Sequence, residues 1–99
     1  MEQEVFHALS DPTRRCILDR LRMGPKKTGE LAEAFPQSRY GVMKHLSVLC
    51  DAGLIIVERR GRERWNYLNA VPLRELYERW LTPYQEVWSH SLLRLRDSV

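Results

Sequence analysis

Apolar residues recur every three or four positions over most of the chain, which predicts a mainly helical protein. Val5, Phe6 and Leu9 share one side of a short first helix over residues 2–9. Asp11-Pro12 is a strong start for the second, since Asp caps and Pro is pre-set for the first helical position. That helix runs from 12 to about 23, with Ile17, Leu18 and Leu21 inward and Arg14, Arg15, Asp19, Arg20 and Arg22 mostly outside. Gly24-Pro25 stops it. Thr28 is placed to cap a third short helix, with Leu31, Ala32 and Phe35 inward and Pro36 ending it. Ser38 caps a fourth that continues to 52, where Gly53 supplies the left-handed residue.

The pattern then changes. Residues 54–60 favour a strand, Gly61-Arg62 signals a turn, and 64–69 alternates, giving a β-hairpin with a charged tip. Helical spacing returns over residues 72–97 through Leu73, Leu76, Tyr77, Trp80, Leu81, Tyr84, Val87, Trp88, Leu92 and Leu95. Pro83 either kinks this helix or opens a second piece capped by Thr82; the unbroken periodicity favours a kink.

Ninety-nine residues make one small domain with a modest core. The net charge of +3 says little, but arginines crowd the stretch 59–64. The N-terminus has neither a basic nor an apolar leader region, and no apolar run approaches membrane length. A cytoplasmic protein with no membrane partner is expected. Cys16 and Cys50 are far apart without CxxC spacing, which reads as two reduced thiols in or near the core. A thiol switch needs the pair close and aligned, and the spacing does not supply that. There is no Gly-rich phosphate loop and no nucleophile–base constellation. His45 and Cys50, five apart, do not share a helical face, so the chain is not expected to be an enzyme.

The fourth helix carries the most information. Val42, Leu46 and Leu49 form its inward face, leaving Arg39, Tyr40, Met43, Lys44 and Ser47 outward. A basic helix with polar and aromatic tips, preceded by a helix and short turn and followed by an arginine-rich hairpin, suits the major groove of double-stranded DNA. Taken alone, a charged hairpin is usually just solvated, and Arg64 could pair with Glu58 across it. His45, between outward Lys44 and inward Leu46, reads as a half-buried structural histidine rather than a base reader.

Three motifs in order carry a resemblance. Ala8-Leu9-Ser10-Asp11-Pro12-Thr13-Arg14-Arg15 with Ile17-Leu18 resembles the opening of ArsR/SmtB-type repressors. Ser38 through His45-Leu46, Val48-Leu49 and Ala52-Gly53-Leu54-Ile55 resembles their recognition helix, and residues 58–69 resemble their wing. The resemblance spans nearly the whole chain. It implies a mainly α fold with a small β-hairpin: a winged helix-turn-helix over 1–99, with 72–97 as the dimerisation helix of a homodimer joined through its terminal helices. It implies a sequence-specific repressor. Ser38, Arg39, Tyr40, Met43 and Lys44 would face DNA, and Arg60, Arg62 and Arg64 would be salt-sensitive wing contacts. Arg39 would fork onto a guanine edge or a phosphate, Lys44 would meet a phosphate, and Tyr40 and Met43 would touch thymine methyls. Family members more often carry a small polar residue at the position of Met43.

Val5, Phe6, Leu76, Trp80, Tyr84, Val87, Trp88 and Leu92 are the expected dimer interface, since the last helix has more apolar surface than a small monomer covers. A two-fold axis implies an inverted-repeat operator. Many relatives sense metals through thiolates on the third helix or an Asp-x-His pair on the last. Here the third helix lacks cysteine and the last offers Glu86 and His90 alone. The run 40–45 and the ending Arg79-Trp80-Leu81 with Tyr84 and Trp88 resemble a non-metal branch. No metal or cofactor is expected, and the residues indicate no inducer. The rival readings are a winged-helix protein-interaction module and a thiol- or metal-responsive repressor.

Overall fold

The computed structural model describes residues 2–85 and 87. Its elements are α1 (Glu2–Leu9), α2 (Pro12–Arg22), β1 (Lys26–Lys27), α3 (Thr28–Glu33), α4 (Arg39–Asp51), β2 (Ile55–Arg60), β3 (Glu63–Leu68) and α5 (Val71–Leu76). The chain stays helical past α5, through a π-helical turn at Tyr77–Leu81 and a 3-10 turn at Thr82–Tyr84. The irregularity expected at Pro83 therefore begins a full turn earlier. Pro83 lacks an N–H and its ring crowds the preceding turn, so the backbone rearranges upstream of it.

Local chemistry sets the helix ends. Asp11 Oδ1 accepts from the N–H groups of Thr13 (2.8 Å) and Arg14 (3.1 Å), capping α2. Ser38 Oγ accepts from Gly41 N–H at 3.1 Å, capping α4. At the far end Gly53 takes φ 76°, and a Schellman pair closes the helix: Leu54 N–H to Leu49 O at 3.0 Å and Gly53 N–H to Cys50 O at 2.9 Å. Thr28 is not the cap of α3. Lys27 stands there, its N–H donating to Glu30 Oε1 at 3.2 Å, while the Thr28 hydroxyl turns inward to the sheet.

The sheet has three antiparallel strands in the order β1-β3-β2, one more than the hairpin read from the sequence. Lys26 pairs with Asn66 and Lys27 with Trp65, so the short β1 ties the start of α3 to the wing. Asn66 reinforces this join. It is 1% exposed, and its Nδ2 donates to Lys26 O (3.2 Å) and Thr28 Oγ1 (3.0 Å). The core collects Val5 and Ala8 from α1, Ile17, Leu18 and Leu21 from α2, Leu31 from α3, Val42, Leu46 and Leu49 from α4, and Leu54 and Ile55 beyond. The inward stripes of α2 and α4 are found there in full; in α1 Val5 is buried and Leu9 partly so, but Phe6 points to solvent, and in α3 Leu31 is buried with Phe35 packed partly against it. Arg14, expected outside, is buried instead, because the end of α1 supplies carbonyls for its guanidinium.

Candidate nucleic-acid interface

Helix α4 buries Val42, Leu46 and Leu49 and exposes the opposite face, since the two sets alternate at helical spacing. On that outer face Ser38, Arg39, Tyr40, Met43 and Lys44 are all exposed. The Ser38 hydroxyl doubles as the helix cap. Lys44 Nζ lies 5.0 Å from the Tyr40 ring centroid, one turn away, so the two side chains stack along the helix. Gln37, in the turn before α4, donates to Thr13 Oγ1 at 2.7 Å and anchors the helix start to α2.

The wing register sorts its arginines. Gly61, at φ 62°, opens a two-residue turn, so Arg60 faces Glu63 and Arg59 faces Arg64. Side chains alternate along a strand. Arg59 and Arg64 therefore share the sheet face of Val57 and Asn66, the face turned toward α4. Arg64 lines one groove with Met43, Ser47 and Cys50, and an open cleft of about 380 Å³ with Arg39, Arg62 and Lys27. Arg60 is on the other face and is held there. It donates to Glu58 Oε1 (3.2 Å) and the Tyr67 hydroxyl (2.5 Å), and lies 5.5 Å from the Trp65 ring centroid. Glu58, helped by Tyr67, raises its pKa above the ordinary value. Glu58 is thus taken by Arg60, and the alternative Arg64–Glu58 pair does not form.

Three wing arginines, Arg59, Arg62 and Arg64, have no carboxylate partner among the described residues. Arg59 is not among the wing contacts expected from the sequence, yet it shares the α4-facing side of the sheet with Arg64, as the two-residue turn at Gly61-Arg62 requires. At the rim of the cleft Lys27 Nζ meets Glu63 Oε2 at 2.6 Å. This contact lowers the Glu63 carboxyl and raises the Lys27 ammonium from their ordinary values. His45 is half-buried, as its position between Lys44 and Leu46 suggests.

The expected dimer residues divide. Phe6 is 50% and Trp80 43% exposed, and Tyr84 and Val87 are likewise open. Leu76 is half-buried against the core, and Val5 lies wholly within it, so its apolar surface is already covered inside the chain. Trp88 and Leu92 lie outside the described residues, as do Glu86 and His90. Trp80 Nε1 donates to Glu2 Oε1 at 3.3 Å and Arg79 meets the same oxygen at 3.2 Å, joining α1 to the terminal helical segment. Cys16 is exposed, not near the core, because it shares the outward face of α2 with Asp19 and Arg20. Cys50 is half-buried; burial, with Asp51, pushes its thiol pKa up against a smaller pull from Arg64. Among the described residues no three His, Cys, Asp or Glu side chains converge to hold a metal, and no helix is long and apolar enough to cross a membrane.

This arrangement recurs in known proteins. A family model described as a helix-turn-helix domain matches residues 9–58. The chain is 41% identical over 71 residues to the transcriptional repressor SdpR of Bacillus subtilis (strain 168), covering 72% of this chain and 79% of that one. It is 38% identical over 87 residues to the HTH-type transcriptional regulator Rv2034 of Mycobacterium tuberculosis (strain ATCC 25618 / H37Rv), covering 88% and 78%. Its fold matches the crystal structure of the ArsR family transcriptional regulator RHA00566 with a TM-score of 0.78 and 39% identity, over 88% of this chain and 94% of that one. A capped reading helix beside a basic wing, found with this degree of identity, makes the chain a DNA-binding transcriptional regulator that belongs to the ArsR family.

Proposed function

We propose that the chain is a cytoplasmic homodimeric repressor that occupies an inverted-repeat operator and blocks polymerase sterically. The observation that carries this reading is the shared exposure of Arg39, Tyr40, Met43 and Lys44 on α4 beside wing arginines that no carboxylate neutralises. Arg39 reads a guanine edge or grips a phosphate, Tyr40 and Met43 meet thymine methyls, and Ser38 and Lys44 contact the backbone. Arg62 and Arg64 extend the contact along the duplex, releasing counterions. Arg60 contributes less than its neighbours, since its guanidinium is engaged within the wing. Phe6, Trp80, Tyr84 and Val87 supply an apolar face for a second copy, which would set two reading helices about one DNA turn apart. The name of its relative SdpR supports repression over activation.

Fluorescence anisotropy tests the reading, using the DNA upstream of the chain's own gene against a scrambled duplex at low and moderate salt. Tight binding to the upstream DNA that survives moderate salt is expected. Equal binding to both that collapses with salt would move the operator elsewhere. No binding to either at low salt would favour a protein-interaction module.

A further inference from the structure

Arg14 is 8% exposed, on the first turn of α2, and its guanidinium touches three other places in the fold. Nε donates to Ala8 O at 2.8 Å and Nη2 to His7 O at 3.0 Å. These carbonyls belong to the last turn of α1; His7 O also accepts from the N–H and hydroxyl of Ser10 just past the helix. Nη1 lies 3.1 Å from His45 Nδ1, on α4. A guanidinium only donates, so in this contact Nδ1 is the acceptor. Asp11 Oδ1 is 4.0 Å from the same nitrogen, too far for a hydrogen bond, and is already bonded to the N–H groups of Thr13 and Arg14.

Gln37, in the turn before α4, bonds Thr13 on α2; within α4 itself, among the described residues, the Arg14–His45 contact is the one side-chain hydrogen bond to the α1–α2 pair. The remaining contacts between them are apolar, through Val42, Leu46 and Leu49, and apolar contact has no preferred direction. A burial-driven fold alone would not place a guanidinium here, since a buried charge costs free energy. What the residue offers is a rigid fork that holds acceptors on two different helices in one geometry.

We propose that Arg14 and His45 are positioning residues for DNA recognition: their hydrogen bond sets the placement of α4 against α1, and tight operator binding requires an acceptor at His45 Nδ1. The proposal rests on the DNA-reading role given above for α4. Because α1 also carries Phe6, the same bond connects the proposed dimer face to the reading helix.

The test compares wild type, His45→Asn and His45→Leu on an operator selected with wild-type protein from a random duplex library. Asn keeps an oxygen acceptor close to the place of Nδ1, whereas Leu fills the space without one. Circular dichroism melting and sedimentation are run on each, so that affinity is compared at equal folded fraction and equal assembly. His45→Asn is expected to bind within about threefold of wild type, and His45→Leu about tenfold or more weakly, as loss of a hydrogen bond to a charged group implies. Equal affinity for all three overturns the proposal and leaves the DNA reading intact. So does equal weakening of both variants, or weakening that follows the folded fraction. If the selection returns no duplex that wild type prefers, the DNA reading itself falls and the proposal with it.

Discussion

Arg59 and Arg64 stand directly opposite each other across the hairpin, two like charges on the sheet face turned toward the reading helix. Such a pair destabilises a free hairpin. A phosphate between or beside the two guanidiniums would relieve the repulsion, which makes this pair the expected anchor of the wing on DNA. Arg59→Ala and Arg64→Ala should each lower the slope of log affinity against log salt by about one. Arg60→Ala should leave that slope nearly unchanged, since Glu58, Tyr67 and Trp65 already occupy its side chain. Titrations of each variant at four or more salt concentrations check this. A slope that drops for Arg60→Ala and stays put for Arg59→Ala would reverse the assignment.

Asn66 is the polar pin between wing and helix-turn-helix. Its Nδ2 satisfies Lys26 O and Thr28 Oγ1 in a site closed to water. Asn66→Leu should cost about 1–3 kcal/mol in denaturant unfolding, because both acceptors lose their donor inside the protein. Asn66→Asp should cost at least as much, as a carboxylate can donate to neither. Unfolding midpoints equal to wild type would show that the wing does not depend on this join.

The join at Asn66 also bears on how far the sequence was legible. The reading helix was legible throughout, because its start, its inward stripe and its end are all encoded locally in Ser38, Val42-Leu46-Leu49 and Gly53. Strand β1 was not: two lysines have no strand signal, and they are extended because Asn66 and Trp65, about forty residues away, pair with them. Arg14 looked like one more outward arginine on α2. Its burial is decided by the carbonyls at the end of α1 that its guanidinium reaches, a circumstance the helical spacing of α2 does not show. The sorting of Arg59 from Arg60 lay between these cases, since a two-residue turn at Gly61-Arg62 fixes the register by counting.

The two thiols should differ in reactivity by severalfold. Cys16 is open to solvent, while Cys50 lies half-buried between α4 and the wing with its pKa raised, so less of it is thiolate at neutral pH. Disulfide-exchange kinetics with a chromogenic reagent should show a fast and a slow phase, and Cys16→Ser should abolish the fast one. Raising the pH should speed the slow phase, because it increases the thiolate fraction at Cys50. Loss of the slow phase in Cys16→Ser would contradict the placement of both residues.

Asp11 gives acid sensitivity of a definite sign. Desolvation pushes its carboxyl up, but the N–H groups of Arg14 and Thr13 and the nearby Arg14 guanidinium outweigh this, and its pKa is below the ordinary value. A carboxyl depressed in the folded state contributes stability above its unfolded pKa and loses it as pH falls through the folded one. Asp11→Ala should therefore cost about 1 kcal/mol at neutral pH, the worth of an N-cap. Asp11→Asn should keep most of the cap, and its deficit relative to wild type should shrink as the solution is taken well below pH 3.8. A deficit that grows on acidification would refute the assignment.

Assembly is the remaining link between fold and operator. Phe6 and Trp80 are each about half open to solvent, and Glu2 holds their two segments together through Trp80 and Arg79. In the proposed dimer, Phe6 and the tethered Trp80 would meet a second copy, and ordering Trp80 on association would cost little. Trp80→Glu should raise the dimer dissociation constant about thirtyfold or more, as loss of an aromatic anchor does. The protomer should stay folded, since its core lies elsewhere. Sedimentation equilibrium reports the mass and circular dichroism the fold. If Trp80→Glu is monomeric and folded, its affinity for the full inverted repeat should fall to that for a single half-site, because the two reading helices are no longer joined. A folded variant of unchanged mass would place the dimer interface elsewhere and detach the inverted-repeat expectation from these helices.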